Sequence, residues 1–140
     1  MDARPAGTGT SSVRHTRAIY VIDGNNVIGA VADGWWRDRP AAVRRLLARL
    51  QCLGLQLEEP LVLVLDVPQD DLPAGDHDGV TVVYAARRGR DAADDRIREL
   101  AGRGDTVVTS DRALRRDAEE SGCTVVGAGT FLARLRDAGC

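Results

Sequence analysis

At 140 residues and 15.0 kDa, the chain has room for one domain of ordinary size and none for a second with its own core. A hydrophobic share of 44% beside 29% charged residues excludes disordered, collagenous and disulfide-scaffold classes, and no apolar run approaches the roughly 20 residues of a membrane helix. The net charge of −2, from 21 acidic residues against 19 basic ones that are all Arg, argues against a protein that coats duplex nucleic acid by bulk charge, while a local Arg patch stays open.

Residues 1–17, rich in Gly, Ser, Thr, Ala and Arg without period, are expected to form a disordered leader, leaving 18–140 as the folded domain. They lack the apolar stretch of a secretory signal, so a cytoplasmic protein is expected. The first strand is predicted at Ala18 to Ile22, with a turn at Asp23-Gly24-Asn25-Asn26. Pro40 opens a helix with Val43, Leu46, Leu47, Leu50 and Leu53 on one face and Arg44, Arg45 and Arg49 outward. Trp35 and Trp36, ahead of that helix, could stack an unpaired base, but the preferred reading has one of them packed under the loop. Leu61 to Leu65 is apolar without alternation, as in a central strand covered on both faces. Residues 66–79 contain Pro68, Pro73, Gly75 and four further aspartates, Asp70, Asp71, Asp76 and Asp78, and read as a long loop.

A third strand follows at Val80 to Tyr84, then a helix from Asp91 to Ala101, a strand from Thr106 to Thr109 and a helix from Arg112 to Glu120. A fifth strand, Cys123 to Val126, and a last helix, Thr130 to Ala138, complete the chain. The alternation predicts an α/β fold: a single three-layer domain with a parallel sheet of about five strands flanked by helices. Cys52, Cys123 and Cys140 are odd in number and lack metal-ligand spacing, so they are expected to be reduced, the first two as small core side chains.

Three strands run into aspartate: Tyr20-Val21-Ile22-Asp23, Leu63-Val64-Leu65-Asp66 and Val108-Thr109-Ser110-Asp111. Parallel strands place such ends along one edge, where open α/β folds put their ligands. Asp91, Asp94 and Asp95 open the helix after the third strand and face the same edge, on the side opposite Ala93, Ile97 and Leu100. Each alone reads as turn chemistry, a helix N-cap or a complement to a helix dipole. Together they repel unless something positive sits among them, and carboxylates without His or thiolate partners suit a hard cation such as Mg²⁺ or Mn²⁺. His15 and His77 give no support to a nucleophilic triad or a His-ligated metal, and no phosphate-binding glycine motif follows the first strand.

The stretch Ile22-Asp23-Gly24-Asn25-Asn26-Val27-Ile28-Gly29 resembles the opening motif of the NYN group of PIN-like ribonucleases, specifically its YacP-like branch. Leu65-Asp66, Asp78 to Tyr84 leading to Ala93-Asp94-Asp95-Arg96-Ile97, and Val107-Val108-Thr109-Ser110-Asp111 agree in order and spacing, so the resemblance covers nearly all of Ala18 to Leu135. It implies a PIN-like (Rossmannoid) domain in which Asp23, Asp94 and Asp111 match metal-binding acidic positions. Asn26 then matches an active-site asparagine that holds the first acidic residue or a water, and Asp66 a more variable acidic position. Asp91 sits where relatives carry an acidic residue, whereas several carry a non-acidic one at Asp95, which leaves Asp95 to the helix dipole or an Arg.

Phosphodiester hydrolysis needs an activated water and a stabilised leaving oxygen, both of which carboxylate-held metal ions supply. Arg87, Arg88 and Arg90 are candidate phosphate contacts in the loop before the aspartate helix, with even odds that the loop is simply solvated. Ser110 is a further candidate for substrate binding. The leading expectation is a divalent-metal-dependent ribonuclease, endonucleolytic on single-stranded RNA and leaving a 5′-phosphate. RNA is its partner, and the ribosome or another RNA-presenting protein a candidate one. An inert PIN-like domain that binds RNA or protein is the main alternative. A phosphatase or phosphotransfer domain is less favoured, because it would want a Lys that the chain lacks.

Overall fold

Short runs of Val, Ile and Leu have no polar face to give to solvent, and they fold here as strands covered on both sides. The computed structural model describes residues 18–87, 89 and 91–140; the leader expected at 1–17, and Arg88 and Arg90, lie outside the described residues. The strands are β1 (Tyr20–Asp23), β2 (Leu61–Leu65), β3 (Gly75–His77), β4 (Val80–Tyr84), β5 (Thr106–Val108) and β6 (Thr124–Val126). They form one sheet in the order β3-β4-β2-β1-β5-β6. The five from β4 to β6 in that order are parallel, with Ile22 opposite Leu63 and Val108, and Val107 opposite Val125.

Five helices cover the sheet: α1 (Gly24–Gly29), α2 (Arg39–Gly54), α3 (Ala92–Leu100), α4 (Arg112–Glu120) and α5 (Ala128–Asp137). Successive strand residues point to opposite faces. Ile22, Leu63, Leu65 and Val108 accordingly join Leu46, Leu50, Phe131 and Leu135 in one core. Val21, Val64 and Val107 join Ile97 and Leu114 in the other. The result is a three-layer α/β domain, with α1, α2 and α5 on one face and α3 and α4 on the other.

Three expectations need correction. First, residues 66–79 are not all loop: among the described residues the five parallel strands expected are present, and β3 adds a sixth within that segment by pairing antiparallel with β4. Asp78 and Gly79 link them with φ of 52° and 95°, the left-handed pair of a two-residue hairpin turn. Second, Asp23 to Asn26 is not a turn: α1 starts directly after Asp23, which caps it. Gly24 permits this close approach, since a Cβ there would lie 2.8 Å from the Val64 carbonyl oxygen and 2.7 Å from Leu65 Cδ2.

Third, Cys52 and Cys140 are not reduced but form a disulfide with a Cα–Cα distance of 5.7 Å. The chain end packs back on α2, where Gln56 Nε2 donates to the Ala138 carbonyl at 2.9 Å and Arg49 Nε to that of Cys140 at 3.1 Å. Spacing along the chain could not reveal a pairing that this packing creates across 88 positions. Cys123 is buried, takes no part in that disulfide, and has its Sγ 3.3 Å from the Gly102 carbonyl oxygen. Among the described residues no helix is long and apolar enough to cross a membrane.

Candidate functional site

Because β1, β2, β4 and β5 are parallel, the C-terminal ends of all four lie along one edge of the sheet. Asp23 is the last residue of β1 and is 3% exposed. Its Oδ2 accepts from the Thr109 hydroxyl at 2.8 Å, and its Oδ1 from the Asn26 amide at 3.5 Å. Burial raises its pKa above the ordinary carboxylate value against those two bonds, and the charges of Asp111 and Asp66 raise it further.

Asp111 follows β5 and caps α4, its Oδ1 accepting from the Leu114 amide at 2.9 Å. The Thr109 hydroxyl oxygen accepts from the Asp111 amide at 3.1 Å, so a single threonine ties the two aspartates together. Asp94 lies in the first turn of α3. Its pKa is raised to about 6, first by burial, then by the negative charges of Asp23 and Asp111 and to a smaller degree Asp91, with Arg98 opposing. Three carboxylates from three elements thus stand in one another's field.

Asn26 presents its Oδ1 to the Ser110 amide at 2.8 Å, which fixes the connection from β5 to Asp111. The Ser110 hydroxyl accepts from the Ala128 amide at 2.8 Å, at the start of α5, a helix whose Gly127 cap offers no side chain. Asp66, just beyond β2, pairs with Arg39 at 3.3 Å, and Arg39 also donates to Asn25 at 3.0 Å. Asp91 precedes α3 without capping it by its side chain. Asp95 turns away from the edge group toward arginine, pairing with Arg87 and, at 3.2 Å, with Arg98. Arg87, expected to face phosphate, is therefore already ion-paired, while Arg88 and Arg90 lie outside the described residues.

His77 lies on β3 with its Nε2 2.6 Å from the Pro73 carbonyl, and His15 is outside the described residues. Trp35 packs against the core, as preferred, and Trp36 is 61% exposed. Sequence reasoning missed two members of this edge. Thr109 was seen only as a strand residue, though a threonine at the end of a buried strand, two residues before an aspartate, is a usable signal. Arg39, next to Pro40, carried none, because its partners are 14 and 27 residues away.

Among the described residues no three His, Cys, Asp or Glu side chains form a group able to enclose an ion. Waters and a substrate phosphate would therefore have to complete the shell of any cation bound at this edge, as they commonly do for Mg²⁺. The mutual repulsion of Asp23, Asp94 and Asp111 is what such an ion would relieve, so the donor set fits a hard divalent cation.

Neither sequence-family profiles nor curated proteins give a match to the chain. Solved structures do. A crystal structure of Rae1 (YacP) from Bacillus subtilis, in a mutant form, superposes with a TM-score of 0.70 at 19% identity, covering 87% of this chain and 77% of that one. A second crystal structure of Rae1 (YacP) from Bacillus subtilis gives 0.65 at 21%, covering 86% and 75%. The chain thus shares the fold of Rae1 (YacP), in accord with the resemblance read from the sequence motifs.

Proposed function

We propose that the protein is a divalent-metal-dependent ribonuclease that hydrolyses phosphodiester bonds within single-stranded RNA and leaves a 5′-phosphate. The observation that carries this reading is the mutual field of Asp23, Asp94 and Asp111 at one sheet edge, strong enough with burial to bring Asp94 to about 6. Those three residues would hold Mg²⁺ or Mn²⁺, with Asp66 or Asp91 contributing directly or through water. When bound, the ion supplies activation of the attacking water and charge stabilisation at the leaving oxygen.

The chain's own residues prepare this chemistry. The Thr109 hydroxyl fixes the rotamer of Asp23, Asn26 fixes the segment carrying Asp111, and the first turn of α3 sets a half-buried Asp94 at the margin of the face that buries Ile97. Near neutral pH Asp94 is mostly ionised and able to bind a cation; as pH falls through about 6 protons compete for it. Arg87, with Arg88 and Arg90, would meet flanking phosphates, Arg87 by exchanging its bond to Asp95. Cytoplasmic residence and presentation of RNA by the ribosome or another protein belong to the same reading. The disulfide counts against the first, because such bonds persist mainly in oxidising surroundings.

The inert-binding alternative has one observation in its favour: Asp111 already serves as a helix cap. Cleavage separates the two. Wild-type protein should cut single-stranded RNA with Mg²⁺ or Mn²⁺ and stop with EDTA. Asp94→Asn should lose about 10²-fold or more, since metal-derived stabilisation amounts to several kcal/mol. Retained cutting in Asp94→Asn, or cutting indifferent to EDTA, would contradict the proposal. RNA binding by wild-type protein without cutting would favour the alternative.

A further inference from the structure

An open cleft of about 330 Å³ adjoins the carboxylate edge between the start of α2 and the connection from β2 to β3. It shares Asn25 and Asp66 with that edge, and nothing derived above uses it. Its volume lies near the lower limit for a small-molecule pocket and suits one planar group rather than a peptide or a helix. Pro40, Val43 and Leu65 supply apolar wall.

Charge argues against a phosphate here. The lining holds two arginines against three aspartates, and each arginine is already committed: Arg39 to Asp66 and Asn25, Arg44 to Asp71 at 3.0 Å. Arg39 is also held over the Trp35 ring, 5.8 Å from its centroid. A guanidinium fixed in this way is a surface on which an unpaired base can stack. A neutral, flat ligand with polar edges meets these conditions, and an anion does not.

The Oε1 of Gln69, another lining residue, points to which edge. Among the described residues it is the one buried side-chain nitrogen or oxygen atom without a hydrogen-bond partner. A buried acceptor without a donor costs free energy that an apolar side chain of similar shape would not. The last torsion of glutamine is soft, so a modest rotation turns this oxygen toward a donor in the cleft.

We propose that the cleft is a base-reading subsite. It receives one unpaired base of the RNA strand beside the scissile phosphate, and Gln69 accepts a hydrogen bond from the exocyclic amino group of that base, adenine in the first instance. The proposal rests on the ribonuclease reading for its substrate class. It adds a determinant of which RNA is bound.

Binding of three fluorescent single-stranded oligomers to the full-length protein in EDTA tests it: oligoadenylate, the same length built from purine riboside, which lacks the amino group, and oligouridylate. The phosphate contribution is common to all three, so ratios isolate the base. Wild-type protein should bind oligoadenylate about tenfold more tightly than the purine oligomer, the scale expected when one hydrogen bond to a base is lost. Gln69→Leu should bring that ratio to unity with a Tm equal to or above wild type, because it removes the unpaired buried Oε1. A wild-type ratio of one, or an unchanged ratio in Gln69→Leu, overturns the subsite while leaving the ribonuclease reading intact. Failure of wild-type protein both to bind any oligomer and to cut RNA with Mn²⁺ removes both.

Discussion

Asp23 and Asp105 are both buried aspartates at strand ends of the same sheet, and they sit in opposite electrostatic situations. Asp105 lies at the N-terminal end of β5, where its Oδ1 accepts from the Ile19 amide at 3.0 Å and its Oδ2 from the Gly102 amide at 2.9 Å. Two backbone donors hold it, and the bonds tie the entry of β1 to the entry of β5. Asp23, at the C-terminal end of β1, has a hydroxyl and one long amide contact, and faces the charges of Asp111 and Asp66. Burial alone therefore does not mark a functional carboxylate. Like charges brought together make the stronger candidate, because folding gains nothing from their proximity.

The largest expected contrast in stability comes from removing each carboxylate. Asp105→Ala removes the acceptor of the buried Ile19 amide and of the part-buried Gly102 amide, at about 1–3 kcal/mol for the buried one and less for the other, so urea denaturation should show a loss of roughly 2–4 kcal/mol. Asp94→Ala should lose far less, because it relieves repulsion. Equal losses would erase the distinction between the two ends of the sheet.

Next in size is the disulfide, remote from the carboxylate edge. Reducing Cys52–Cys140, or changing Cys140→Ser, should lower stability by about 2–4 kcal/mol through the larger conformational freedom of the unfolded chain. Metal-dependent cleavage per folded molecule should be unchanged. A parallel loss of cleavage would mean that the chain end supports the site.

Smaller still is the pH effect of Asp94. Its folded pKa, about 6, exceeds its ordinary value of 3.8. The folded state therefore binds the extra proton between those values, and stability falls as pH rises through the window. In EDTA, Asp94→Asn should melt slightly above wild type at pH 7, and the gap should close by pH 5. The residue is partly exposed, so solvent screening keeps the difference small. A gap that widens on acidification would reverse the assigned sign.

Most of the sheet was legible because strand identity rests on local runs of apolar residues: β2, β4 and α4 have the bounds expected from the sequence. The converging aspartates were legible for a related reason, since parallel topology fixes which strand ends share an edge. What escaped depended on contacts distant in sequence or on a weak local signal overridden by its surroundings. The β3 hairpin had its Asp78-Gly79 signal, obscured by the neighbouring prolines and aspartates. Asp105 carries no local signal in the sequence, and its role appears only when Ile19 is brought to it. Arg39 and the Cys52–Cys140 pair likewise acquire partners only through tertiary packing.

The central claim is that Asp23, Asp94 and Asp111 form one cation-binding group, and thermal melting of wild type and Asp94→Asn at pH 7, first in EDTA and then with Mn²⁺, tests it most directly. A ligand that binds only the folded state raises Tm in proportion to its affinity, by about 2.7 kcal/mol of stability at a hundredfold excess over Kd. The account predicts that Asp94→Asn melts no lower than wild type in EDTA and loses most of the upward shift with Mn²⁺. A variant that melts below wild type in EDTA and shows the full wild-type shift with Mn²⁺ would contradict it.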